Sequence, residues 1–174
     1  MKYLVKIFVI IFFLTCPKIV LSNDKIVYIN MNKVLNNSAV GIFINKEIEK
    51  IHKLNLIELQ KTQEYLKKEE EKILSQKNIL SENEYINKIN ILKSNIENYK
   101  NDRANRIEQL KNKRTIARKK LLDNLNIILS EYSIENDLLY ILNKENVVIA
   151  KKNLDITSNI IILLDKKVKK IKIN

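Results

Sequence analysis

Between Ile42 and Asn174 the chain contains neither glycine nor proline; Gly41 and Pro17 are the only residues of their kind in all 174. Those two residues are the strongest punctuators of regular structure. A run of this length without them can be divided only by capping residues or by a change of hydrophobic period. Most of the run carries apolar residues at helical spacing, which predicts long uninterrupted helices. Helices of that kind hold, bridge or bind, and they offer little for catalysis.

The first residues predict a cleaved leader, to be set aside before the fold is considered. Lys2 and Lys6 form a positive start, residues 7–14 (IFVIIFFL) an apolar stretch, and Pro17 and Lys18 break it. Val20 and Ser22 place the cleavage after Ser22, so residues 1–22 are expected to be a signal peptide. Eight clean apolar residues fall short of the ~20 that span a bilayer. Cys16 would leave with the leader, so the remaining chain has no disulfide and must hold itself by packing or by oligomerising. The formal charge of +12, less the three leader lysines, leaves +9. Such a balance attracts acidic polypeptides, anionic lipids and nucleic acid alike, although part of it reflects a composition crowded with Lys, Asn and Ile.

Along the chain, residues 25–30 (KIVYIN) read as a strand, and residues 31–41 as a polar, Asn-rich connection with at most one short helical turn. A first long helix follows from Ile42, with Leu59, Leu66, Ile73 and Leu80 recurring every seven residues. Thr62, Glu69 and Gln76 fall on the other seam position, so the stripe is half polar. Ser81 followed three residues later by Glu84 is a capping box, a helix start in the middle of a helical pattern. It predicts an antiparallel hairpin. The return helix carries Tyr85, Ile89, Leu92, Ile96, Tyr99, Arg103, Ile107, Leu110, Arg114, Ala117, Leu121, Leu125, Ile128 and Tyr132 in alternating steps of three and four, a seam of about seven heptads. At 1.5 Å per residue the arms would be roughly 55 and 75 Å long. After Ser133 the period changes. Residues 138–142 (LLYIL) and 147–150 (VVIA) read as two strands joined by a polar turn at 143–146, and residues 159–168 as a terminal helix. The expected fold is therefore mainly α: a long antiparallel helical hairpin, residues 42–132, on a three-stranded sheet formed by 23–41 and 133–174. A sheet this small is marginal alone, and Ile26, Tyr28, Leu138, Tyr140, Val147 and Ile149 are the expected body and subunit contacts.

This layout resembles the Skp/OmpH family of periplasmic chaperones for outer-membrane proteins. The resemblance rests on the opening strand and its continuation from Lys25 through Val27, Tyr28, Met31 and Val34 to Leu35, on the turn from Ser81 to Glu84, and on the closing Leu154, Asp155, Ile156 and Thr157. It implies a periplasmic homotrimer whose sheets form a body and whose hairpins hang from it, holding unfolded outer-membrane proteins between them without ATP. The family's strongly basic arm tips have no clear counterpart, because Lys72, Lys77 and Lys88 stand against Glu82 and Glu84. The densest basic run is Lys111, Lys113, Arg114, Arg118, Lys119 and Lys120, nearer the base.

Enzymatic chemistry finds little support, and no cofactor is expected. His52 is the only histidine, so an N/S zinc site has no ligands to draw on, and a phosphate loop needs glycines this region lacks. Glu69, Glu70 and Glu71 lie among Lys67, Lys68 and Lys72, the pattern of a solvated helix face. For client binding the expected residues are Ile57, Leu59 and Leu66, left partly covered by the half-polar seam, with Lys111, Lys113, Arg114 and Arg118. The basic run reads equally as a plain solvated surface. Contact with anionic lipid or lipopolysaccharide is a further partner that the charge allows. Nucleic acid is not expected for an exported chain. A structural coiled-coil component of a cell-envelope assembly is the alternative function.

Overall fold

The computed structural model describes residues 25–173; the signal-peptide reading of residues 1–22 lies outside them. Strand β1 (Lys25–Ile29) is followed by helix α1 (Met31–Asn37), helix α2 (Ala39–Ser75) and helix α3 (Glu82–Glu135). Strand β2 (Leu138–Asn143), two single 3-10 turns (Lys144–Asn146 and Lys152–Leu154) and helix α4 (Thr157–Lys167) complete the chain. The 37 and 54 residues of α2 and α3 correspond to about 55 and 81 Å of helix.

The opening of the chain is more helical than its Asn-rich composition suggests. Asn30 caps α1 by accepting from the Lys33 amide at 2.9 Å, and Val34 and Leu35 bury its inner face. Ser38 ends α1 and at once caps α2, accepting from the Gly41 amide at 3.2 Å. The Asp165 carboxylate, reaching over from α4, accepts from the Ala39 amide at 2.7 Å. Two of the orphan donors at the head of α2 are thereby satisfied, the one at Gly41 in a buried setting. Gly41 sits inside the first turn of α2 because α1 crosses it there. A Cβ on Gly41 would lie 2.0 Å from the Leu35 carbonyl oxygen.

The hairpin turns where the capping box predicts. Ser81 Oγ receives the Glu84 amide at 3.4 Å, and the Glu84 carboxylate accepts from the Ser81 amide at 3.1 Å and from its hydroxyl at 2.7 Å. At the far end of α3 no glycine is present to supply a left-handed residue, and Asp137 takes that conformation with φ of 52°. Asp tolerates it better than most side chains.

Among the described residues the sheet has two strands, not three. β1 and β2 run parallel, Val27 opposite Ile141 and Tyr28 opposite Leu142, with a bulge that skips Leu139. Parallel strands need a long crossover, and here the crossover is the entire hairpin. Residues 147–150, expected as a third strand, form none: Val148 and Ile149 are 103% and 92% exposed. Residues 144–146 close a 3-10 turn, with the Val147 amide bonded to the Lys144 carbonyl. That directs the chain away from β2 instead of folding it back, and the glycine that a type I′ hairpin turn favours is absent. The second neighbour of β1 is instead Asp155, through a single parallel bridge to Tyr28.

One core joins these pieces at the base. Val27 and Ile29 of β1, Val34 and Leu35 of α1, Val40, Ile44 and Ile48 of α2, Ala117, Leu121, Leu125 and Ile128 of α3, and Ile160 and Leu164 of α4 are all buried together. Thr157 is the polar node under the sheet. Its hydroxyl accepts from the Asn30 amide at 2.9 Å and donates to Asp155, which also accepts from the Thr157 amide at 2.9 Å. Partial burial pushes the Asp155 carboxyl up, but the Thr157 donors, with Lys144 and Lys33 nearby, outweigh it and hold it below its ordinary value.

Gly41 gives a test in which sign alone decides. In an ordinary helix interior Gly→Ala stabilises by about 1 kcal/mol. Here Gly41→Ala must push α1 off α2, so urea unfolding is expected to show a loss of about 1–3 kcal/mol; a neutral or stabilised variant would contradict the close crossing. The tip gives a second. Bonding first to the Ser81 hydroxyl, then to its backbone amide, holds the Glu84 carboxyl below the ordinary 4.5. The stabilisation is complete above the ordinary carboxylate range and is lost as pH falls through the depressed value. Amide shifts of Ser81 and Glu84 followed by NMR should titrate below 4.5 in the native chain, and the transition should vanish in Glu84→Gln.

Candidate functional site: the helical arms

The two arms do not pack uniformly. Beyond the base core a second, smaller core lies near the tip, where Leu66, Ile73 and Leu92 are buried with Tyr85, Ile89, Ile96 and Tyr99 around them. Between the two, the contact turns polar. Arg106 of α3 reaches across to Glu58 at 2.5 Å and Asn55 at 3.2 Å, and is held along its own helix by Asp102 at 2.7 Å. Tyr99 adds a 3.5 Å bond from its hydroxyl to Gln63. Donation to Asp102 and then to Glu58 raises the Arg106 pKa further, so the guanidinium stays charged.

The seam slips accordingly. Arg103 and Ile107, expected to face α2, are exposed, Ile107 by 60%, and Arg106 takes the facing position. A strict alternation of three and four follows a 3.5-residue repeat, whereas an α-helix turns every 3.6 residues. The accumulated drift is absorbed in the middle, where polar side chains are long enough to span the gap. The signal for this site was present as Asp102 and Arg106 one turn apart, an acid ahead of a base on one helix face.

Of the expected client-binding residues, Leu59 and Leu66 are buried in the protomer. They are only 9% and 8% exposed, because the seven-residue stripe they belong to faces α3 and is used within the hairpin. Ile57 is 50% exposed, and with it Leu54, Leu56 and Tyr65 of α2 and Ile86, Ile91, Ile107 and Ile116 of α3 stand open along the arms. Leu56 and Ile107 flank a groove of about 170 Å³ against Arg103 and Arg106, and an open groove of about 490 Å³ runs between Gln63, Lys67, Glu70, Ile96 and Lys100. Lys111, Arg114 and Arg118 are exposed and Lys113 half-buried. Among the described residues none of these four enters an ion pair.

At the body, the sheet alternates as strands should. Val27, Ile29 and Ile141 turn to the core, so Ile26, Tyr28, Tyr140 and Leu142 share the outer face. Ile26, Tyr140 and Leu142 are exposed there. Leu138, expected at a subunit contact, packs against the protomer's own core, and Val147 is half-buried outside any strand. Among the described residues no cluster of His, Cys, Asp and Glu could hold a metal ion, and no helix is long and apolar enough to cross a membrane.

The hairpin on its small sheet matches a known family. The model of the OmpH-like outer membrane protein family matches residues 25–164, so the chain belongs to the OmpH-like family. No curated protein matches the sequence. Among solved structures, a crystal structure of an OmpH-like protein from Caulobacter crescentus CB15, provisionally assigned as an outer membrane chaperone, superposes with a TM-score of 0.81. That match covers 86% of this chain and 88% of the other at 16% identity, a likeness of fold.

The polar middle predicts where the arms loosen. Arg106→Ala removes the cross-helix contacts while leaving both cores intact, and partly exposed ion pairs are worth only about 0–1 kcal/mol each. Hydrogen exchange should quicken around Asn55, Glu58 and Asp102 and stay unchanged at Leu125 and Ile160. Equal loss of protection at the base would mean that the arms and base form one cooperative unit.

Proposed function

We propose that this chain is a periplasmic holdase chaperone that binds unfolded outer-membrane proteins between its helical arms without nucleotide. The observation that carries the reading is the combination of exposed apolar side chains and unpaired cations along both arms, with a core confined to the base and tip. Membership of the OmpH-like family supports it. Each exposed Ile or Leu offers a small patch, and many weak contacts on neighbouring arms add through effective concentration. Binding of that kind tolerates any sequence and lets a client leave without an energy source.

In this reading the working form is a homotrimer. Residues 23–41 and 133–174 make the body, and 42–132 is the arm. A two-stranded sheet is marginal by itself, and its outer face of Ile26, Tyr28, Tyr140 and Leu142, like the open Val148 and Ile149, presents apolar surface that a neighbouring subunit would cover. Catalysis has no part in the mechanism.

Sedimentation equilibrium of the chain from residue 23 should give three times the protomer mass, and stoichiometric trimer should keep a urea-diluted β-barrel protein from scattering light. Tyr140→Asp with Ile149→Asp should return the protein to monomer and cost most of the suppression. A native monomer, or no suppression at excess chaperone, would refute the reading.

A further inference from the structure

At the foot of the arm α1, α2 and α3 enclose a crevice of about 50 Å³ lined by Leu35, Asn36, Ile44, Asn45, Arg114 and Arg118. We propose that it binds the carboxylate of an acidic side chain of an unfolded polypeptide. This rests on the reading of the chain as a binder of unfolded proteins and adds a specific anchor to it.

Arg114 and Arg118 lie one turn apart on α3 and so share a face. The ion pairs among the described residues engage Lys53, Lys67, Lys72, Arg106 and Lys167, and neither Arg114 nor Arg118. Nor does either guanidinium donate to any hydrogen-bond acceptor among the described residues. Arg is the cation whose planar fork matches a carboxylate. On the opposite wall Asn45 donates to the Asn36 side-chain oxygen at 3.4 Å, which leaves the Asn36 amide N–H groups free to donate. Lys111 and Lys119 stand on the same stretch of α3 and raise the local positive potential.

The floor distinguishes among anions. Leu35 and Ile44 are buried apolar side chains at the bottom of the crevice. A Glu or Asp reaching in from a chain outside lays its methylene stem on that floor and its carboxylate on the guanidiniums. A phosphate, polar on all sides, gains nothing from the apolar wall and loses hydration against it. A volume of about 50 Å³ is several times the ~10–15 Å³ that one water needs, so it admits a small planar group.

The test uses two fluorescent, unstructured, C-terminally amidated peptides that differ only by one central Glu or Gln between apolar residues. Fluorescence anisotropy with the intact protein should show the Glu peptide binding about tenfold tighter, ~1.4 kcal/mol. That preference should disappear in Arg114→Gln/Arg118→Gln and persist in Lys166→Gln/Lys170→Gln, which removes the same charge from exposed positions outside the crevice. Acetate should compete better than inorganic phosphate at equal ionic strength. Equal affinity for the two peptides, equal loss in the lysine variant, or stronger competition by phosphate would each overturn the assignment. So would restoration of the Gln peptide by a free C-terminal carboxylate, which would assign the crevice to chain ends. If the native protein still suppresses aggregation of a β-barrel protein while showing no Glu preference, the anchor fails and the holdase reading stands.

Discussion

The structure depends on the buried junction at the base of the hairpin, where α1 crosses α2 at Gly41 and α3 and α4 close over both. Helix ends are costly to bury, and this junction buries one. The head of α2 is made tolerable by Ser38 and by Asp165 from the other end of the chain. Thr157 then ties the sheet to α4 through Asn30 and Asp155. Residues separated by more than a hundred positions are thus brought into one core, and the long arms project from it.

Because the base supplies most of the burial, the arms are free to be imperfect. A continuous heptad zipper would bury its apolar residues inward and present a charged outer surface. Here the pairing is apolar near the tip, polar at Arg106 and apolar again at the base. Apolar side chains that do not serve the seam, Ile57 and Ile107 among them, stand in solvent. Stability in one place and unsatisfied surface in another is the arrangement a holding protein needs. The unpaired arginines at the foot of the arm add charge where the arms meet the body.

Much of this was legible in the amino-acid sequence, and the rest was not for identifiable reasons. The capping box at Ser81 and Glu84 marked the hairpin turn because a cap is a local, two-residue interaction. The stripe of Leu59, Leu66 and Ile73 was visible, but periodicity does not say whether a stripe faces its own hairpin or a client, and here it faces the hairpin. Helix α1 was obscured by its asparagines, although Asn30 as a cap ahead of Met31, Val34 and Leu35 carries the signal. The apolar run 147–150 reads as a strand on composition, yet a strand needs a neighbour to pair with, and the 3-10 turn before it removes that neighbour. The crevice at Arg114 and Arg118 joins residues some seventy positions apart, which no local pattern reveals.

The most direct test of the account is where an unfolded client touches the protein. With a photo-crosslinking amino acid placed in turn at Ile57, Ile107 and Ile162, each exposed in the protomer, a denatured β-barrel protein should be captured from the two arm positions and not from Ile162 on α4. Capture from Ile162 alone, or equally from all three, would contradict the claim that the arms hold the client.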